Sequence, residues 1–291
     1  MCRKINNLRS DSRKWQFKLF LLQIFGEKYI KGNLCASFFR KHNFVSGDKS
    51  GKNSGTFNFK KFRIAQDLCA MKVGTDGVLL GAWADIQEAS TALDIGTGTG
   101  LIAIMLTQRN PELTVHAVEI DINASAQAVE NMRESPFSER LTVFSSSIQD
   151  FAAASNNKYD LIVSNPPFFS GSLLSENERK NKARHTTDLT HNDLLDAVQK
   201  LMTRDGKFCL ILPAPEGDKF IQSGQKFGLN CSKCIQVRSK AEKSVERLLL
   251  QFEFTEKADS ERKTLIILEG KGRHDYTKEY TELVKDFYTI I

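Results

Sequence analysis

Residues 56–291 predict a doubly wound α/β domain: a mostly parallel, Rossmann-like sheet of seven strands with an antiparallel pair at its C-terminal edge. Three observations carry this. The apolar stretch Thr91-Ala92-Leu93-Asp94-Ile95 runs into a glycine-rich turn and then a helical period. Val115 to Asp121 is a second apolar stretch that ends in acids. Tyr159 to Ser164 is a third, closed by Asn165-Pro166-Pro167-Phe168.

Each element follows in order. Thr91 to Ile95 reads as a short strand feeding Gly96-Thr97-Gly98-Thr99-Gly100, and Leu101 to Arg109 continues as a helix with apolar residues at Leu101, Ile104, Met105 and at Ile102, Leu106. Val115 to Asp121 is the next strand, and Arg140 to Asp150 reads as another leading into a polar loop. Thr190-His191-Asn192-Asp193 opens a helix carrying Leu194, Leu195, Val198, Leu201 and Met202, expected to end near Asp205-Gly206. Lys207 to Leu212 is a strand stopped by Pro213, and Asp218 to Phe227 is helical. Arg247 to Phe254 and Lys263 to Leu268 are expected to pair antiparallel at the edge.

The glycine turn is a nucleotide-type cofactor loop. Glycine permits positive φ and close backbone approach, and the following helix points its first N–H groups at a ligand. A tight βα connection with no ligand is the alternative. Glu119 follows the glycines by about 20–25 residues, the distance at which a carboxylate reaches ribose hydroxyls, and Asp121 is the helix-capping acid beside it. Dinucleotide loops use G-x-G-x-x-G, whereas this chain has Asp94-x-Gly96-x-Gly98-x-Gly100. That pattern resembles the S-adenosylmethionine (SAM) loop of class I methyltransferases. The resemblance implies that the loop passes under the methionine part of SAM with Asp94 anchoring it, and that Ser147 and Ile148 lie at the adenine.

Asn165-Pro166-Pro167-Phe168 resembles the catalytic loop of amino-group methyltransferases. A planar exocyclic NH2 has its lone pair delocalised into the ring and is a poor nucleophile. The Asn165 side-chain carbonyl and the Pro166 backbone carbonyl can each accept one N–H bond, which favours a more tetrahedral nitrogen facing a methyl donor. The prolines stiffen the loop before substrate arrives, and Phe168 offers a face on which a flipped-out base stacks. A Pro-Pro turn ending a buried strand is the other reading.

Longer matches extend the resemblance. Phe57 to Ile64, Met71 to Trp83, Asn165 to Phe169, Ala183-Arg184-His185, Tyr276 to Tyr280 and Asp286-Phe287-Tyr288 are similar to the bacterial tRNA(Val) adenine-N6 methyltransferase family, over residues 57–291. This implies N6-methyladenosine at position 37 of tRNA1(Val) as product and SAM as cofactor. It places Asn165, Pro166 and Phe168 on the target adenine, and Lys72, Thr75 and Asp76 near the methionine end of SAM. Phe169, Arg184 and His185 complete the expected substrate contacts. A protein-glutamine N5-methyltransferase acting on release factors, or a guanine-N2 methyltransferase of ribosomal RNA, uses a similar loop. A SAM-fold RNA-binding protein without catalysis is the non-enzymatic reading.

The net charge of +6 divides unevenly. Residues 1–56 hold 12 Lys+Arg and 3 Asp+Glu, leaving 29 and 32 for residues 57–291, a net of −3. Phosphate contacts therefore need a local patch, such as Arg179 to His185, or the basic N-terminal arm. Residues 1–55 read as a basic extension expected to be poorly ordered: Trp15 to Phe25 lacks a small-residue cleavage site, and Gly47 to Gly55 is a linker. No stretch approaches the roughly 18–20 apolar residues of a membrane span, so no membrane partner is expected and a cytoplasmic location is. Cys231-x-x-Cys234 has no second ligand pair at zinc spacing, and no metal is expected. The sequence does not give the oligomeric state; a monomer is favoured.

Overall fold

The computed structural model describes residues 55–167, 189–256, 260–270, 272 and 274–289. The expectations for residues 1–54, for Phe168 and Phe169, and for Arg179 to His185 lie outside the described residues.

A short hairpin, β1 (Thr56–Asn58) with β2 (Arg63–Ala65), precedes helix α1 (Thr75–Trp83). The alternation then runs β3 (Thr91–Ile95), α2 (Leu101–Arg109), β4 (Thr114–Glu119), α3 (Ile122–Glu134), β5 (Leu141–Ser145), α4 (Ile148–Ala154) and β6 (Tyr159–Ser164). It continues with α5 (His191–Leu201), β7 (Met202–Pro213), α6 (Ala214–Gln225), β8 (Asn230–Lys240), β9 (Arg247–Glu253), β10 (Glu261–Leu268) and α7 (Lys278–Val284). Strands β3 to β10 form one sheet of eight in the order β10-β8-β9-β7-β6-β3-β4-β5. Pairing is parallel from β7 through β5, antiparallel on both sides of β9, and parallel again between β8 and β10.

Both faces of the sheet are covered, which is why its strands read as continuous apolar runs. Alternate residues feed two cores. Leu161 and Val163 of β6, Cys209 and Ile211 of β7 and Leu249 of β9 join α1, α2, α3 and α7 on one face. Ile162, Phe208, Leu210, Leu212, Leu248 and Leu250 join α4, α5 and α6 on the other. Each fully buried side chain of this size contributes about 1.5–3 kcal/mol by leaving water.

The C-terminal edge departs from expectation in strand count and partners. β9 pairs with β7 and β8 rather than with β10, and β10 lies at the edge, giving eight strands rather than seven. The physical reason lies in the side chains: Leu248 to Phe252 are buried throughout, so this strand needs neighbours on both sides, whereas Glu261 to Thr264 are exposed and suit an edge. Helix boundaries also shift. α5 opens on a Thr190–Asp193 capping box as expected but ends at Leu201, because Met202 already pairs with Tyr159. α6 starts directly at Ala214, with Pro213 as its N-cap, and the loop expected after Ser146 winds into α4.

The two ends of this domain meet. The Lys60 N–H donates to the Phe287 carbonyl at 2.8 Å, and the Phe59 ring stacks on Phe62 and Tyr288 with centroids 4.6 and 5.9 Å away.

Candidate functional site

The glycine turn connects β3 to α2 at the C-terminal end of the sheet. Gly96, Gly98 and Gly100 have φ of 71°, 57° and 82°, a left-handed region that an L side chain strains to enter. A Cβ on Gly96 or Gly98 would meet no atom within 4 Å, so here the backbone borders open space and conformation, not crowding, requires glycine. The turn is tied to β4: the Gly96 and Thr97 N–H groups donate to the Val118 carbonyl at 2.9 and 3.2 Å.

Two acids brace this turn. Glu119 accepts the Gly98 N–H at 2.9 Å through Oε2 and the Asp121 N–H at 2.9 Å through Oε1, and is 8% exposed. Each oxygen keeps a second lone pair for an incoming hydroxyl. Asp94 is fully buried and accepts the Thr97 hydroxyl at 2.6 Å. Burial pushes its carboxyl up to about 7 against the opposing effect of that hydrogen bond. Asp121 caps α3, accepting the N–H groups of Asn123 and Ala124 at 2.9 and 2.8 Å.

Lys72 and Thr75 are exposed around Gly74, the N-cap of α1. Asp76, in the first turn of α1, accepts from Arg247 Nε at 2.8 Å. Arg247 opens β9 opposite Pro213, which brings a cation to the C-terminal end of the sheet that the sequence reading did not single out. Ser147 caps α4, accepting the Asp150 N–H at 3.1 Å and donating to its carboxylate at 2.7 Å, while Ile148 is buried in the core. Their side chains are committed to the fold. Ile120, directly after Glu119, is 55% exposed.

Asn165 follows β6, whose last residue, Ser164, donates its hydroxyl to the Ile95 carbonyl at 3.0 Å and so joins the ends of β6 and β3. The Asn165 Oδ1 is buried and has no hydrogen-bond donor among the described residues. Pro166 is buried and Pro167 exposed; Phe168, Phe169, Arg184 and His185 lie outside the described residues. The structure thus gathers Asp94, the glycines, Glu119, Asp121 and Asn165 at the ends of three adjacent strands, the crevice where open α/β sheets bind ligands. His191 is the first residue of α5 near Glu216 at 3.9 Å, and burial lowers its pKa. Cys231 and Cys234 lie on β8.

Residues 73–212 match the family model of the methyltransferase small domain. The chain is 42% identical over 244 residues to a tRNA1(Val) (adenine(37)-N6)-methyltransferase of Proteus mirabilis, covering 82% of this chain and 96% of the relative. It is 45% identical over 234 residues to one of Trichodesmium erythraeum, covering 80% and 97%. Among solved structures, a predicted O-methyltransferase of Agrobacterium tumefaciens aligns with a TM-score of 0.55 at 17% identity, over 73% of this chain and 96% of that one, a likeness of fold.

Proposed function

Because the chain belongs to the tRNA1(Val) (adenine(37)-N6)-methyltransferase family, we propose that it transfers a methyl group from SAM to the exocyclic N6 of an adenine in tRNA, at position 37 of tRNA1(Val). The observation that carries the chemistry is the buried, donor-less Asn165 Oδ1 at the end of β6. A buried acceptor without a partner costs about 1–3 kcal/mol, and an amino group arriving with two N–H bonds supplies what is missing.

The residues fit the cofactor. Gly96 and Gly98 border open space, and Glu119 stands beside them with acceptor capacity for the two ribose hydroxyls. Bound SAM supplies an electrophilic methyl on a sulfonium. The protein's part is to hold the amino nitrogen: Asn165 Oδ1 and the Pro166 carbonyl each accept one hydrogen, localise the lone pair and aim it. Asp94 and Thr97 hold the turn in shape, and Asp121 fixes the start of α3. Alkylation makes the nitrogen acidic, so a strong general base is unnecessary. Phe168 and Phe169 are the proposed stacking partners of the base, Arg184 and His185 its neighbours in RNA contact, Lys72, Thr75 and Asp76 the methionine end, and Ser147 and Ile148 the adenine end of SAM. The domain spans residues 56–291, with 1–55 an extension, and acts in the cytoplasm, where tRNA is. No helix among the described residues is long and apolar enough to cross a membrane.

The test is incubation of the protein with labelled SAM and total tRNA from a strain lacking the enzyme, followed by nucleoside mass spectrometry. N6-methyladenosine in one tRNA is the expected product. Label in a release factor or in ribosomal RNA guanine, with none in tRNA, overturns the substrate and leaves the cofactor site standing.

A further inference from the structure

The large apolar side chains exposed among the described residues are four: Leu68 at 53%, Met71 at 52%, Ile120 at 55% and Ile122 at 60%. They are not scattered. Ile120 and Ile122 flank Asp121 at the corner between β4 and α3. Leu68 and Met71 belong to a strap, residues 66–73, that climbs α3 toward that same corner. Ala65 exchanges hydrogen bonds with the Asn131 side chain at 2.9 and 2.8 Å, and the Leu68 N–H donates to Gln127 Oε1 at 3.3 Å. Next along the strap, Cys69 lies close enough to Glu119 and Asp121 that burial and those two carboxylates push its thiol up to about 11. The strap is closed by the Val73 N–H donating to Gln66 Oε1 at 2.7 Å. Its backbone is held while Leu68 and Met71, on either side of Cys69, are exposed to solvent beside the corner that carries Glu119 and Asp121.

We propose that Leu68 and Met71 form an apolar rim on which an unpaired nucleobase beside the target adenine packs. The inference rests on the proposed function and names a subsite for its RNA. Extruding one base from a loop exposes the faces of its neighbours, and aliphatic and thioether groups bury such faces without reading sequence. Glu119 and Asn165 end strands two apart, about 10 Å at the usual strand spacing, so the rim lies within reach of a flanking nucleotide. Charge argues the same way: the basic excess lies in residues 1–56, whereas residues 57–291 carry a net of −3, so the catalytic domain's own charge supplies little phosphate attraction and leaves affinity for base contacts to provide.

The test uses the full chain, a fluorescein-labelled anticodon stem-loop RNA carrying the target adenine, and SAM titrated separately by calorimetry. The variant Leu68→Ser/Met71→Ser is expected to raise the RNA Kd about tenfold, the loss of one base contact, with the salt dependence unchanged and the SAM Kd within about twofold. Removing the bases flanking the target should weaken the wild-type chain by a similar factor, a readout that needs no variant at all, and should weaken the folded variant by little. An unchanged RNA Kd, a comparable rise in the SAM Kd, or conversion of a wild-type dimer to monomer overturns the proposal; the last two assign the rim to the cofactor or to a second copy. Failure of the proposed function reads out separately, as no methyl transfer to any tRNA by the wild-type chain.

Discussion

Glu119 holds the Gly98 N–H at 2.9 Å across 21 residues of chain, and with its other oxygen holds the Asp121 N–H, so one carboxylate locks the glycine turn to the start of α3. The turn's shape therefore depends on an acceptor-only group. Glu119→Gln places an NH2 donor against one of two N–H donors. It should weaken SAM binding at least about tenfold, the scale of one charge-assisted hydrogen bond. Calorimetric titration checks this; an unchanged Kd would remove Glu119 from the cofactor site.

Asn165→Ala should abolish turnover while leaving SAM affinity within a few-fold. The same variant should not lose thermal stability, because it removes a buried acceptor that has no donor among the described residues. Steady-state methylation and a melting curve together test both halves, and retained turnover would sink the role given to that side chain.

Asp94 carries a pH signature. Its carboxyl is pushed up from 3.8 to about 7 by burial, so the folded protein holds this proton more tightly than the unfolded chain. Its contribution to stability is fully present below about pH 4 and is lost as pH rises through 7, on the order of a few kcal/mol. Asp94→Asn should flatten the fall in Tm between pH 5 and 8 relative to wild type. Parallel slopes in the two proteins would be the contrary result.

The sheet order predicts an asymmetry between β9 and β10. Leu249 is fully buried in the interior strand, so Leu249→Ala should cost about 2–5 kcal/mol, whereas Arg262→Ala on the exposed edge should stay within about 0.5 kcal/mol. Urea denaturation distinguishes this from an arrangement in which β9 and β10 pair with each other at the edge.

Much of this was legible because the informative contacts are local. The spacing of Asp94, Gly96, Gly98 and Gly100 is a backbone requirement at consecutive turn positions, and it appears as positive φ at all three glycines. The Asp121 cap and the helix start at Thr190 to Asp193 are likewise read within four residues. Ser147 and Ile148 show the limit. Their types suited a polar loop, yet one hydroxyl caps α4 and the isoleucine fills the core, because a helix formed where a loop was expected.

The sequence alone determined the βα alternation, the glycine turn and the Asn-Pro-Pro strand end, since hydrophobic period and φ preference act over a few residues. Only the tertiary structure decided that Asp76 meets Arg247 across 171 residues, that Lys60 reaches Phe287, and that β9 lies inside the sheet. Such partners are chosen by which surfaces are left to bury once the local elements exist, and that competition is settled over the whole domain at once.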